Sequence, residues 1–427
     1  MLATVTSPAG LAGMASLAPL ASLAALAPGA ALAAAPARAN PSPVADVAQA
    51  GRQGVDAEGP VQVRPGCGCE GAALTSTQRH YLTLAQSGVA AAEAHWRDPR
   101  RGWYDSLLGD RARYPLATIW DIVPLFESID AIAIAQPTSA NLAAVRRFAR
   151  GAERYLNRGL RPLPGYSPYP GDREADTETW FDDNGWWGLA FVNAYRATHD
   201  RRYLGDAQRA LRYIATIGWD ASGGGGIWWN TTHPYKAGEA LASATLLAAL
   251  LYQDTHSAFA LAQAQRFLAW ANTSGFSAAN GLYAGSSADP TPIDYIEEPL
   301  IYAQALLCRL GSLTSGCTRV ATLEQTALNR FGHLLDFSPQ YDAIYLQWTL
   351  ALYGLEGNPT LYGLAAANAR DAQTRAATAQ GLYLLSWNGE VLPTRYALPG
   401  MLQTQAATTS LFAWLAVYAP PAAEAAR

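Results

Sequence analysis

The chain has 427 residues, half of them apolar, with 13 Trp, 21 Tyr and a formal net charge of −4. That length fits one large domain or two ordinary ones. The 30 Lys and Arg are dispersed among 34 Asp and Glu without a basic stripe, which excludes a nucleic-acid surface, and the six His lack ligand spacing, which argues against a metal site.

The first 45 residues contain a single charge, Arg38, although no Lys or Arg precedes the apolar run. Leu, Ala and Val dominate as far as Ala35, and Ala37-Arg38-Ala39 has the small-x-small pattern of a cleavage site. Pro8, Pro19 and Pro28 interrupt the run, so residues 1–39 read as a secretory signal and not as a membrane anchor. Residues 40–75 are rich in Pro, Gly and small polar residues without periodicity, the composition of a flexible linker. Cys67 and Cys69 lie in this linker without a firm reading. In an exported chain, Cys308 and Cys317 are expected to form a disulfide across a short loop between two helices.

From residue 76 to about 420, apolar residues recur at three- and four-residue steps, as in Trp120, Val123, Phe126, Ile129 and Ala133. About twelve helices are predicted, beginning near Thr77, Ala117, Asn141, Asp183, Tyr203, Ala237, Ser257, Ile293, Val320, Pro339, Pro359 and Gln403. Strand signals are confined to short runs such as Ile227-Trp228-Trp229. No sequence unit recurs at a fixed period, which disfavours an open solenoid. The expected fold is all-α: an (α/α)6 barrel, a closed toroid of six helical hairpins with loops gathered at one mouth.

The segment Thr179-Trp180-Phe181-Asp182-Asp183-Asn184-Gly185-Trp186-Trp187 carries the strongest chemical signal. One Asp at a helix start is an ordinary cap. A second beside it adds like-charge repulsion in an aromatic setting, so one carboxyl resists ionisation while the other stays charged. Glycoside hydrolysis needs that asymmetry, with carboxyls about 5–5.5 Å apart in a retaining enzyme. About 40 residues on, four glycines (223–226) precede Ile227, Trp228 and Trp229. Glycines allow close backbone approach to a ligand, and indole faces stack on sugar rings. Trp120-Asp121 and Tyr341-Asp342 each pair an aromatic face with an acceptor at a helix start, for which capping and core packing are the competing reading.

At these residues the chain resembles glycoside hydrolase family 76, the endo-α-1,6-mannanases. The stretch Asp182-Asp183-Asn184-x-Trp186-Trp187 is similar to that family's double-Asp motif, and the Gly run with Trp228 and Trp229 to its second signature. Tyr235-Lys236 stands where the family has Lys-Asn-Ala. Gly381-Leu382-Tyr383, Ser386-Trp387 and Gln405 are similar near the end, and the resemblance spans about Trp103 to Ala416. It implies an (α/α)6 barrel, retention of configuration, Asp182 as nucleophile and Asp183 as acid/base. Two departures stand out: Ala237 replaces an Asn, and Ile296-Glu297-Glu298-Pro299 replaces a Tyr-Asn-Gln-Gly element. If that segment lines the groove, Glu297 and Glu298, with Asp294, alter its charge and its choice of sugar; a solvated helix start is the competing reading.

The resulting expectation is an exported, retaining endo-glycosidase on α-1,6-mannan or a related microbial α-glycan. It needs no metal or cofactor, engages no nucleic acid, inserts in no membrane once matured, and is a monomer. A transglycosidase on the same substrates and a non-catalytic glycan-binding protein are the alternatives.

Overall fold

A computed structural model describes residues 73–108, 116–313, 315–335, 337–390 and 400–422. The expected signal (1–39), nearly all of the linker (40–75) and Cys67 and Cys69 lie outside the described residues.

Twelve α-helices follow one another: α1 (Ser76–His95), α2 (Ile119–Ala135), α3 (Ser139–Ala152), α4 (Phe181–Thr198), α5 (Arg201–Tyr213), α6 (Gly238–Thr255), α7 (Ala258–Ala271), α8 (Asp294–Arg309), α9 (Val320–Phe331), α10 (Pro339–Glu356), α11 (Pro359–Asp371) and α12 (Leu402–Val417). Every start lies within two residues of the position expected from periodicity. The even-numbered helices touch in a closed circuit, α2 to α4, α6, α8, α10, α12 and back to α2. The odd-numbered helices pack outside it, α5 against α4 and α6, α7 against α6, α9 against α8. This is the (α/α)6 barrel.

Sequence explains which helices go inside. All sixteen residues of α12 are buried, and α2, α6 and α8 are buried over most of their circumference. A helix apolar all round has no face to offer water. The outer α5 instead buries Leu204, Ala207 and Leu211 and turns Arg201, Arg202 and Arg212 to solvent. Small residues let the inner helices approach closely: a Cβ on Gly185 of α4 would lie 2.1 Å from Ser243 Oγ of α6.

Short antiparallel hairpins join outer to inner helices. β1 (Arg97–Asp98) pairs with β2 (Trp103–Tyr104), β3 (Leu156–Asn157) with β4 (Gly165–Tyr166), and β5 (Phe276–Ser277) with β6 (Leu282–Tyr283). The Cys308–Cys317 disulfide forms as expected and spans the α8–α9 connection.

The two rings differ at their N-termini. Thr75, Thr138, Asp200, Ser257 and Asn358 cap α1, α3, α5, α7 and α11 with a side-chain oxygen. In the inner ring only Thr118 of α2 does so; α4, α6, α8, α10 and α12 have no side-chain cap bond. Their uncapped N–H groups and dipole ends meet at one mouth, where a carboxylate is stabilised.

Candidate active site

First-turn carboxyls occupy that mouth. Asp182 and Asp183 stand at the second and third positions of α4, Asp121 at the third of α2, Glu239 at the second of α6 and Asp294 at the first of α8. Asp182 is the least shielded of the α4 pair, and its Oδ1 is buried without a protein partner. Burial pushes its carboxyl up to about 7, opposed by the N–H groups of Asp183 and Asp182 and by a hydrogen bond from the Trp229 side chain. Asp183 is raised well above the usual carboxylate range by burial and then by the charges of Asp182 and Asp121. No donor offsets those effects at Asp183, so the two neighbours separate: Asp182 loses its proton first and Asp183 keeps one.

Aromatic faces surround the pair. Trp229 stacks on Tyr235 with centroids 5.4 Å apart and meets Trp180 edge-on at 6.3 Å. Across the mouth Trp120, Tyr295 and Tyr341 cluster, with Tyr295 and Tyr341 4.7 Å apart. Tyr169 is 44% exposed, and the charges of Asp121 and Asp183 raise its hydroxyl pKa after burial does. Trp186 closes the floor, 4% exposed, its Nε1 without a partner. Beneath it the barrel axis holds a cavity of about 30 Å³ lined by Glu127, Gln347 and Trp348 among others. That is room for about one water.

Several residues expected to contact substrate have other tasks. Asn184 is fully buried; its Oδ1 accepts from Tyr166 N at 2.9 Å, and its Nδ2 donates to the Tyr166 and Trp180 carbonyls. Gln405 accepts from Tyr383 N at 2.8 Å and donates to Gly88 O at 3.2 Å. Glu297 accepts from Tyr283 N at 3.0 Å. All three are the fourth residue of their helix, on α4, α8 and α12. Each ties a tyrosine N–H of the preceding hairpin or turn to an inner helix. Burial holds the Glu297 carboxyl well above the carboxylate range, and as a neutral acid it replaces an amide there without adding charge to the groove.

Glu298 lies away from the mouth, raised to about 8 by burial and then by Glu324 of α9 and Glu356 of α10. The expectation that these two glutamates recharge the groove is therefore corrected. Asp294 is also buried; its Oδ1 accepts from Tyr295 N at 2.7 Å, and it hydrogen-bonds Asp342. Asp121 closes a capping box, accepting from Thr118 N and Oγ1 at 2.8 Å. It stays close enough for its charge to bear on Asp183.

Lys236 does not reach for substrate. Its Nζ donates to Ser222 O and Gly225 O at 2.5 Å and pairs with Asp220 at 3.2 Å. The Gly run wraps this ammonium: a Cβ on Gly226 would meet Lys236 Cδ at 2.5 Å and the Trp270 ring at 3.0 Å. Gly225 and Gly226 thus serve close approach to Trp219, Trp270 and Lys236. Trp228 and Trp229 meet different partners. Trp229 turns to Asp182, while Trp228 stacks on His233 at 5.1 Å and lies under Lys236.

Glu239, Tyr169 and Tyr295 were not singled out from the sequence. For Glu239 a signal existed: it holds the same second helical position in α6 that Asp182 holds in α4.

The closed ring of hairpins thus presents an adjacent carboxyl pair under aromatic faces. Residues 163–293, which build most of this site, match the family model of Glycosyl hydrolase family 76. A family 76 mannosidase from Bacteroides thetaiotaomicron superposes with a TM-score of 0.70 at 17% identity, covering 79% of this chain and 98% of that one. An inactive variant of the α-1,6-mannanase of Salegentibacter sp. HEL1_6, in complex with α-1,6-mannotriose, gives 0.62 at 18% identity, covering 79% and 99%. Cellobiose 2-epimerase from Bacillus thermoamylovorans gives 0.59 at 12% identity, covering 79% and 98%. One barrel thus carries different chemistries, and fold alone does not choose among them. No curated protein matches the chain.

Proposed function

We infer that this protein is an exported, retaining endo-glycosidase that hydrolyses α-1,6-linked mannan, with Asp182 as nucleophile and Asp183 as acid/base. The observation that carries the reading is the split of the adjacent pair, one carboxyl held by N–H donors and the other left without them. The Salegentibacter mannanase offers independent support, because its inactive variant has two adjacent aspartates replaced by asparagine. Export rests on the Ala-rich leader and on the Cys308–Cys317 disulfide, a bond that persists in oxidising compartments.

In this mechanism Asp182 attacks the anomeric carbon as the glycosidic C–O bond breaks, and Asp183 gives its proton to the departing oxygen. Asp183, now a carboxylate, takes a proton from water, whose oxygen displaces Asp182 from the glycosyl ester. Two displacements restore the starting configuration.

The test is oligosaccharide release from debranched α-1,6-mannan by the wild type, Asp182→Asn and Asp183→Asn. Wild type should release products, and each variant should lose on the order of a thousandfold or more, as for groups acting in the chemical step. Full activity in both variants would reduce the pair to helix caps. A silent wild type would reject mannan as the substrate.

A further inference from the structure

A third carboxyl stands beside the pair, and the mechanism above leaves it idle. Glu239 is the second residue of α6, next in the inner ring to α4, whose second residue is Asp182. It is half-buried, and among the described residues no side chain is recorded as its hydrogen-bond partner. The groups that bear on it can be named element by element. From α4 comes Asp182, from the strand-like segment before α6 comes Tyr235, and from α8 comes Tyr295. The nearest cation in sequence, Lys236, is consumed by Asp220 and by the carbonyls of Ser222 and Gly225. Glu239 therefore has no countercharge, and Asp182 Oδ1 beside it has no partner.

We propose that Glu239 works as a neutral carboxyl that binds the sugar hydroxyl lying nearest the Asp182 carboxylate. A protonated carboxyl offers one O–H donor and a carbonyl acceptor, the pairing that suits a hydroxyl. Burial, then the charge of Asp182, hold its proton on until about pH 8. Once ionised it would set a second negative charge against the nucleophile and surrender its only donor. The bound hydroxyl would in turn lie within reach of Asp182 Oδ1, which has no protein partner.

This inference rests on the glycosidase reading, so its test separates the two. First, wild type, Glu239→Gln and Glu239→Ala are assayed on debranched α-1,6-mannan across pH 5 to 10. Gln keeps a neutral donor and acceptor, so kcat/KM near pH 7 should stay within a few-fold of wild type. Its alkaline limb, near pH 8 in the wild type, should move upward because the group that ionises there is gone. Ala should lose at least tenfold at every pH, mostly in kcat/KM. An unmoved alkaline limb in Glu239→Gln, or an Ala variant as active as the wild type, overturns the proposal. If the wild type releases nothing from mannan, the function reading fails, and Glu239 is judged by infrared difference titration of wild type against Glu239→Gln. A carboxyl band that titrates near pH 8 and vanishes in the variant supports the neutral acid; its absence overturns it.

Discussion

Replacing Trp229 by Phe tests how the adjacent pair is split. Phe keeps an aromatic face toward Tyr235, whose ring lies 5.4 Å from that of Trp229 at 15°. It deletes the indole N–H that hydrogen-bonds Asp182. A hydrogen bond to an ionised group contributes about 1.5–3 kcal/mol. At about 1.4 kcal/mol per pH unit, its loss should raise the Asp182 carboxyl by about one to two units. The wild-type value is already near 7. Since Asp182 acts as the anion, activity falls as pH drops through that value, and a higher value moves the acid limb upward. The kcat/KM of Trp229→Phe at pH 6 should therefore fall roughly ten- to a hundredfold, and the deficit should shrink toward alkaline pH. The assay is initial-rate product release from mannan between pH 5 and 9. A loss equal at every pH would mean that Trp229 only stacks on sugar. No loss at all would mean that the hydrogen bond does not set the charge of Asp182.

Two further outcomes concern the frame around the site. Glu297→Gln should raise Tm, by an amount that grows with pH: a carboxyl held neutral in the fold but ionised when unfolded favours the fold below its ordinary 4.5, and that advantage is lost as pH rises toward its folded value. An equal Tm gain at pH 4 and pH 8 would show that Glu297 is not held neutral. Gly185→Ala should destabilise by about 1–3 kcal/mol through overpacking, because the new methyl would lie 2.1 Å from Ser243 Oγ and 3.2 Å from the Ser243 backbone. An unchanged urea midpoint would mean that α4 and α6 separate freely.

The helices were legible in the sequence because burial on one or all faces imposes a period that needs no knowledge of neighbours. The catalytic candidates were legible for a related reason: Asp182 and Asp183 are adjacent, so their repulsion is local. Less legible was which way a polar side chain turns. Asn184, Glu297 and Gln405 were drawn from the family resemblance, and each is the fourth residue of its helix, part-way around from the second. Each turns to a hairpin or turn N–H instead of the mouth. The Gly run and Lys236 were read as ligand contacts, and they satisfy one another. Glu239 passed unnoticed as a lone acid in an Ala-rich helix, because its neighbour Asp182 is 57 positions away in sequence and adjacent only in the ring. The tyrosine ties also carry a pattern a fixed-period search misses: Gly281-Leu282-Tyr283 precedes α8 and Gly381-Leu382-Tyr383 precedes α12.

Those ties recur on alternate inner helices, and they divide the mouth into anchored points and free arcs. Each anchor is one side chain of an inner helix that accepts a tyrosine N–H of a hairpin or turn. Between anchors, residues 288–291 are exposed, and an insertion there should leave Asp182 and Asp183 in place. A barrel built this way can change which glycan it admits by lengthening an arc while its reactive carboxyls stay in register. For engineering, that marks the arcs as the place to alter specificity and the three anchors as positions to leave alone.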